Sequence, residues 1–193
     1  MKANIFEYPD FDKFNTFPKL LKHRSEIMPD EVALRNKDLG IWNEITWDEY
    51  NKIVSELAIG LKSIGFKKGD VLALIGDNKP EWVFFEIACH ANGGMSLGVY
   101  RDTLDDEVGY LVKSAKVKFA YAEDQEQVDK LINVQKKLKT KIKVIYDDPR
   151  GLEKLKNPNV INMKDLASEG KKQLDKNNKP VSYTHLTLPT SHC

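Results

Sequence analysis

Four short apolar runs, separated by stretches with helical character, constrain the fold of this chain most. The runs are Val71–Ile75, Met95–Tyr100, Val117–Tyr121 and Ile142–Tyr146. Parallel neighbouring strands need a long return across the sheet, and a helix usually provides it. The alternation therefore predicts an α/β domain with a Rossmann-like parallel sheet and flanking helices. No sequence repeat accompanies the spacing, which argues against a solenoid.

The stretches after the first run carry helix signals. Pro80-Glu81 is typical of a first helical turn, and Thr103 with Asp106 predicts a capped start to the following helix. The last of these helices has one face formed by Val128, Leu131, Ile132, Gln135 and Leu138. The polar segment "ASEGKKQLDKNNKP" further on predicts a short helix that fades into a linker.

Before the first run, the sequence predicts a helix, a hairpin and a second helix. The first helix ends at Pro29 and has one apolar face, formed by Phe17, Leu20, Leu21, Ile27 and Met28. Extended segments on both sides of Lys37-Asp38-Leu39-Gly40 predict the hairpin. Thr46 and Glu49 have the spacing of a capping box, which starts a helix that Gly65 ends.

Composition excludes several classes of protein. The formal net charge is +1, so no global field attracts nucleic acid, and we expect no nucleic-acid partner. No apolar run is long enough to span a membrane, and the start "MKANIFEYPDF" lacks a secretory signal, which predicts a cytoplasmic protein. The lysine-rich run "QKKLKTKIK" is interpreted as a solvated helix face, and a membrane or CoA-phosphate role is the weaker alternative.

The last thirteen residues differ in composition from the rest. All 30 basic and 29 acidic residues precede Val181. Back-translation of Val181–Thr190 in one frame resembles the adaptor that transposase attaches to DNA sequencing libraries. We therefore expect residues 1–180 to be the native part and 181–193 to be a non-native tail, with a naturally uncharged terminus as the alternative. Excluding the tail removes His185, His192 and Cys193 and leaves Cys89 without a disulfide partner.

Generic catalytic motifs are absent, and the remaining candidate residues have ordinary structural explanations. Gly93-Gly94 has the position of a helix end before a strand, where glycine is needed for conformational reasons. Cys89 and His90 are neighbours on an apolar helix, so their side chains diverge and we expect both to pack. Asp77-Asn78 follows a strand at its carboxyl end, where open α/β sheets bind ligands, although Asx residues also make ordinary turns and caps.

The segment from Ile45 to Leu131 resembles the amino-terminal part of the AMP-forming acyl-CoA synthetases. "ITWDEY" is similar to the family's T-W-x-E-Y motif, and "KKGD" to its turn into the first core strand. "HANGGMSLGVY" stands where the family has A-x-x-A-G-G-V-x-V-P-x-Y, and differs in detail at Ser96-Leu97-Gly98. "AEDQEQVDKL" and "VIYDDPRGL" are most similar to bacterial long-chain fatty acid synthetases. The likeness extends over about residues 17–174.

The resemblance implies a two-step ligase. In that family ATP and a carboxylic acid give an acyl-adenylate and pyrophosphate, and the CoA thiol then displaces AMP, with Mg²⁺ accompanying the ATP. In the family, the phosphate loop, the nucleotide contacts and the catalytic lysine lie downstream of the segment that this chain resembles, and none of them is present here. Tyr183-Thr184 is not followed by the glycines of that loop. The resemblance therefore assigns no catalytic, cofactor-binding or metal-binding residue here, and implies an amino-terminal fragment that is inactive alone. A self-contained Rossmann-like binding module without catalysis is the alternative.

Overall fold

The computed structural model describes residues 8–177, so the predicted tail and its Tyr183-Thr184, His185, His192 and Cys193 lie outside the described residues. The helices are Phe17–Ile27 (α1), Trp47–Ser63 (α2), Pro80–Ala91 (α3), Asp105–Ser114 (α4), Gln125–Leu138 (α5) and Met163–Asn177 (α6). The strands are Val32–Asp38 (β1), Ile41–Thr46 (β2), Val71–Ile75 (β3), Met95–Val99 (β4), Phe119–Ala122 (β5), Lys143–Tyr146 (β6) and Val160–Asn162 (β7).

The predicted parallel sheet is confirmed. Strands β3 to β7 form one sheet in the order β4-β3-β5-β6-β7, and every neighbouring pair is parallel. Each of the four apolar runs corresponds to a strand, and no predicted end differs from the observed end by more than two residues. The sequence missed β7, since three half-buried residues give too short a pattern to recognise. Between β6 and β7 the chain returns without a helix.

The sheet separates two apolar cores because successive side chains of a strand point to opposite faces. On one face Leu72 and Leu74 pack with the helices α2, α3 and α6. On the other face Ala73 and Ile75 pack with α4 and α5. All five residues of β3 are buried, as expected for a strand in the interior of a parallel sheet that is covered on both sides.

The face predicted for α1 is partly wrong. Leu21 and Met28 are buried, but Phe17 is 57% exposed and Ile27 is 40% exposed. The buried positions are Pro18, Leu21, Ser25 and Met28. Positions separated by three or four residues share a helix face, and the surrounding contacts select the stripe that includes Ser25. Apolar spacing therefore located the helix, whereas packing decided its orientation.

The hairpin and the start of α2 are confirmed. β1 and β2 pair antiparallel around Leu39 (φ +46°) and Gly40 (φ +84°), both left-handed, as a two-residue turn with the twist of a hairpin requires. The Thr46 backbone N–H donates to Glu49 Oε2 at 2.9 Å, and the Glu49 N–H donates to Thr46 Oγ1 at 3.3 Å. These two bonds are the predicted capping box.

The cap predicted for α4 is wrong. Thr103 does not cap α4: Leu104 occupies the N-cap position, and no side chain bonds to the cap. A cluster of acidic residues in the first turn stabilises that helix start instead.

The helix predicted in the segment from Ala167 to Pro180 is longer than expected: α6 has fifteen residues and continues to Asn177, and residues 178–180 lie outside the described residues. Helix α6 packs against α2 so closely that a Cβ on Gly60 would lie 2.5 Å from the Leu166 carbonyl oxygen, and a Cβ on Gly170 would overlap the Glu56 carbonyl. Two glycines allow this backbone contact, and a composition-based reading of a polar segment does not detect it.

Candidate functional site at the carboxyl edge of the sheet

The chain changes direction at the carboxyl ends of β3 and β5. From β3 it leads through α3 to β4 on one side, and from β5 it leads through α5 to β6 on the other side. The connections diverge between these adjacent strands, and in open α/β sheets such a switch point forms the ligand-binding crevice. The residues that follow the two strands are Gly76 to Lys79 and Glu123 to Asp124.

An internal ion pair connects the two loops at this crevice. The Glu123 side chain is 7% exposed, and its Oε1 lies 2.5 Å from Lys79 Nζ. Its Oε2 accepts a hydrogen bond from the backbone N–H of Asp77 at 2.6 Å. A Cβ on Gly76 would lie only 2.8 Å from the Glu123 Cβ, so glycine there lets the two loops meet. The hydrogen bond to Glu123 raises the pKa of Lys79, which therefore stays charged.

Asp77 is the strongest candidate from the sequence. Its backbone N–H bonds to Glu123, and its side chain forms a second ion pair, with Arg101. Its Oδ2 lies 2.6 Å from Arg101 Nη1, and Arg101 Nη2 lies 3.6 Å from Asp124 Oδ2. Lys130 Nζ donates to the Arg101 carbonyl oxygen at 2.6 Å. Attraction to Asp77 is the main reason why the pKa of Arg101 is raised. Lys79 and Arg101 are thus engaged by carboxylates of the same chain.

Asn78, the residue next to Asp77, lies in a turn. The Lys79 N–H donates to the Asp77 carbonyl oxygen at 2.8 Å, and Asn78 is exposed. Lys79 occupies the N-cap position of α3, without a side-chain cap bond. The structure therefore has the ordinary turn that was the alternative at Asp77-Asn78, but not the cap. Whether either residue contacts a ligand stays a prediction.

Two more carboxyl groups border Lys79 and are partly buried. Burial raises the pKa of Glu81 and, on the far side of the crevice, that of Asp147. Among the carboxylates of this edge, Glu123, Asp77 and Asp124 are engaged by Lys79 and Arg101, so they do not offer the free oxygen ligands that an ATP-linked Mg²⁺ needs. Among residues 8–177 no three or more His, Cys, Asp or Glu side chains are placed to hold a metal ion.

Cys89 and His90 do not form a reactive pair. Cys89 is fully buried, and burial raises the pKa of its thiol to about 12. His90 is half-buried, with Nε2 3.1 Å from Ser96 Oγ, and the Ser96 hydroxyl donates to Glu86 Oε1 at 3.2 Å. The carboxylate thus contacts the serine rather than the histidine, which is not the order of a catalytic triad. Burial also lowers the pKa of His90.

Gly93-Gly94 has the predicted conformational role at the end of a helix before a strand. Gly93 has φ +70° just after α3, where an L-residue would be strained. A Cβ on Gly94 would lie 2.5 Å from Phe66 Cζ and 2.8 Å from Cys89 Sγ. Both glycines lie at the amino end of β4, away from the crevice.

Sequence reasoning missed two features. Gln127, in the first turn of α5, is fully buried, and neither atom of its side-chain amide has a hydrogen-bond partner among the described residues. A surface cleft of about 320 Å³ separates α4 from α5, and the Lys137–Asp106 ion pair of 2.5 Å lies along it. An isolated glutamine in an amphipathic helix gives no signal of its own. Pairing α4 with α5 requires the fold.

No helix among residues 8–177 has both the length and the apolar content to cross a bilayer.

Comparison with known proteins gives consistent results. A family model described as AMP-binding enzyme matches residues 21–184. That match passes Pro180 into the predicted tail, whose origin stays a prediction. The long-chain-fatty-acid–CoA ligase ACSBG1 of Bos taurus is 25% identical over 142 residues, which are 73% of this chain but 19% of the relative. The chain thus spans about a fifth of the length of the curated relatives that it matches.

Two solved structures share the fold. The luciferase-like enzyme of the mealworm Zophobas morio superposes with a TM-score of 0.69 at 17% identity, covering 83% of this chain and 35% of that one. Acetoacetyl-CoA synthetase of Streptomyces lividans gives a TM-score of 0.67 at 21% identity, covering 78% of this chain and 24% of that one. Since the family model spans most of the sequence and these folds agree with it, the chain belongs to the AMP-binding enzyme family.

Proposed function

We propose that this chain is the amino-terminal part of an AMP-forming fatty acid–CoA ligase. The observation that carries the proposal is the family match over residues 21–184, together with relatives that are long-chain-fatty-acid–CoA ligases. The parent enzyme joins a fatty acid, ATP and CoA, with Mg²⁺ bound to the nucleotide. We assign it a long-chain substrate and a cytoplasmic location.

The proposed reaction has two steps for a chemical reason. A carboxylate oxygen is a poor leaving group, and attack of the carboxylate on the α-phosphate of ATP releases pyrophosphate and leaves a mixed anhydride with AMP. The CoA thiol then attacks the acyl carbon, a carbon–sulfur bond forms, and AMP departs with the electron pair of the broken bond. Most of the catalytic work is to position the phosphates and neutralise their charge.

The described residues contribute the scaffold of such an enzyme rather than its phosphate site. A triphosphate needs cations that are free to bind it, and at the carboxyl edge Lys79 and Arg101 are engaged by Glu123 and Asp77. We therefore place the catalytic groups downstream and propose that the 193-residue chain is inactive alone. We further propose that residues 181–193 are the translated adaptor.

The activity test is pyrophosphate exchange into ATP in the presence of palmitate, because exchange reports the first step without CoA. We expect the 193-residue chain to show no exchange above a no-enzyme blank. Extending the source DNA past the Pro180 codon should recover a longer reading frame that encodes a phosphate loop. The protein made from that complete frame should show palmitate-dependent exchange. Exchange by the short chain would refute our placement of the catalytic groups.

The same DNA decides between the ligase and the binding module. A frame that continues past Pro180 into a sequence rich in Thr, Ser and Gly supports the ligase. A source frame that truly encodes residues 181–193 and then stops would overturn both the adaptor assignment and the ligase proposal, and would favour a binding module without catalysis.

A further inference from the structure

The sheet brings seven lysines together at the edge opposite the crevice. Because β3, β5 and β6 are adjacent and parallel, their amino ends lie side by side, with about 4.8 Å between neighbouring strands. Lysines precede or begin each of these strands. We call them the amino-edge lysine cluster: Lys67, Lys68, Lys116, Lys118, Lys139, Lys141 and Lys143.

This finding corrects the interpretation of "QKKLKTKIK" as one helix face. Helix α5 ends at Leu138, Lys139 is its C-cap, and Lys143 already belongs to β6. The second half of the run therefore leaves the helix and joins lysines that come from segments distant in sequence.

The cluster is exposed and has little compensating charge. Six of its lysines are exposed, and Lys143 is half-buried, with Nζ donating to the Ile64 carbonyl oxygen at 2.6 Å. Lys118 Nζ lies 2.7 Å from Asp70 Oδ1. Asp70 is the single acidic residue in the three segments 64–71, 115–119 and 139–143. The amino edge therefore carries a positive surface although the net charge of the whole chain is only +1.

Two of these lysines occupy backbone positions that favour glycine. Lys116 has φ +53° and Lys139 has φ +52°, each directly after a helix that leads into a strand. After α2 and α3 the corresponding left-handed residues are Gly65 and Gly93. Cations do favour helix C-termini, but Lys118 and Lys141 lie outside the helices and extend the same surface. Two charged residues thus lie where glycine would be less strained, and both add to the positive surface of the amino edge.

We propose that the amino-edge lysine cluster is a docking surface for an anionic lipid bilayer. Lysines are strongly hydrated point charges, and they suit diffuse attraction to anionic headgroups. The three segments contain no arginine, and their Phe66 and Phe119 are buried. A nucleic-acid site would be expected to use arginine forks and exposed aromatic rings, so the chemistry favours lipid. Docking by this edge turns the carboxyl edge of the sheet away from the membrane.

The test is co-sedimentation of the 193-residue chain with vesicles, and it needs no ligase activity. The vesicles contain phosphatidylcholine alone or with about one-third phosphatidylglycerol, a fraction sufficient for a negative surface potential. The test variant K116Q/K139Q/K141Q removes three exposed charges from the cluster. The control K52Q/K171Q/K172Q removes three exposed charges from α2 and α6. Far-UV circular dichroism checks that each variant is folded.

The wild-type chain should bind only the anionic vesicles and should be released by salt. Each lysine near the surface multiplies the partition coefficient by about five, so the cluster variant should bind roughly 100-fold more weakly. The control variant and the charge-preserving K116R/K139R/K141R should bind like the wild type. Equal losses in the cluster and control variants would show a net-charge effect and overturn the proposal. Failure of the wild type to bind, or tighter binding to a DNA duplex at equal phosphate concentration, would also overturn it.

Discussion

The two edges of the parallel sheet differ in the sign of their charged side chains and in how many of those charges are paired within the chain. At the carboxyl edge, acidic residues follow the strands and are held by cations of the same chain, with Glu123 buried at the centre. At the amino edge, lysines precede or begin the strands, six of the seven are exposed, and the three segments that carry them contain one acidic residue, Asp70. One edge is cross-linked internally, whereas the other presents its charge to the surroundings.

The polarity of the elements explains the signs of these charges. Helices α3 to α5 each begin after a strand ends and finish before the next strand begins. Their positive N-terminal dipole ends thus follow the strands' carboxyl ends, where acidic residues are stabilising, and their negative ends precede the amino ends, where lysines are. Polarity does not explain why one edge is paired and the other is not. That difference motivates our assignment of the amino edge to an external partner.

The largest effect should come from breaking the internal pairing at the carboxyl edge. Glu123→Ala leaves Lys79 and the Asp77 N–H without their shared partner, so we expect the free energy of unfolding to fall by about 2–3 kcal/mol. Urea denaturation followed by circular dichroism measures the change. Glu126→Ala removes an exposed carboxylate three residues further on and should cost no more than about 0.5 kcal/mol. Equal effects of the two changes would contradict a structural role for Glu123.

Packing beneath the amino edge should be nearly as sensitive. Gly94→Ala places a methyl group against Phe66 and Cys89, and we expect a loss of about 2 kcal/mol in the free energy of unfolding. Gly98→Ala in β4, four residues further on, is the control, since its Cβ would lie 3.2 Å from Trp82 Cζ2, where a small shift suffices. The control should lose less than about 1 kcal/mol. We therefore expect close packing at Gly94, beneath the exposed lysines of the amino edge.

Removing backbone strain at the amino edge should stabilise the protein. A left-handed L-residue costs about 1–2 kcal/mol, and the greater freedom of glycine in the unfolded chain offsets part of that. We therefore expect Lys116→Gly and Lys139→Gly each to raise the free energy of unfolding by about 0.5–1 kcal/mol. Lys113→Gly inside α4 should lower it by a similar amount. If all three substitutions change the free energy of unfolding in the same direction, the backbone at Lys116 and Lys139 is not strained.

The smallest effect concerns pH and separates two adjacent residues of the carboxyl edge. Burial raises the pKa of Asp147, so above the unfolded value near 3.8 the folded state holds more protons, and the free energy of unfolding falls as pH rises. Asp147→Asn should therefore stabilise the protein at pH 7, by less than about 1 kcal/mol because the group is half-exposed. Below the unfolded pKa the variant and the wild type should be equally stable.

Asp148 should respond with the opposite sign. Its hydrogen bond from Arg150 lowers the pKa of its carboxyl group, so its contribution to stability is present above the unfolded pKa and is lost as pH falls through the folded one. Asp148→Asn should lower the free energy of unfolding at pH 7 and have little effect at the acid end. Denaturation curves measured across pH 3 to 7 test both variants, and parallel pH profiles would contradict the opposite pKa shifts of the two carboxyl groups.

Sequence predicted the parts of this protein that depend on near neighbours. The four apolar runs predicted the strands of the parallel sheet other than β7, and Thr46 with Glu49 predicted the start of α2, because those patterns extend over a few residues. The resemblance in the motifs correctly indicated the family. Where apolar spacing allowed more than one stripe, as at Phe17 and Ile27 of α1, the sequence could not choose the buried side.

By itself, the sequence determined the α/β class, the order of the elements and most of their ends, since helix and strand periods, caps and turns are local. Only the tertiary structure decided which residues meet across long separations. Glu123 bonds to a backbone group 46 positions away, and the amino-edge lysines come together because β3 and β5 are neighbours in space although β4 lies between them in the chain. Strand order sets such contacts, and it depends on how both faces of the sheet are covered.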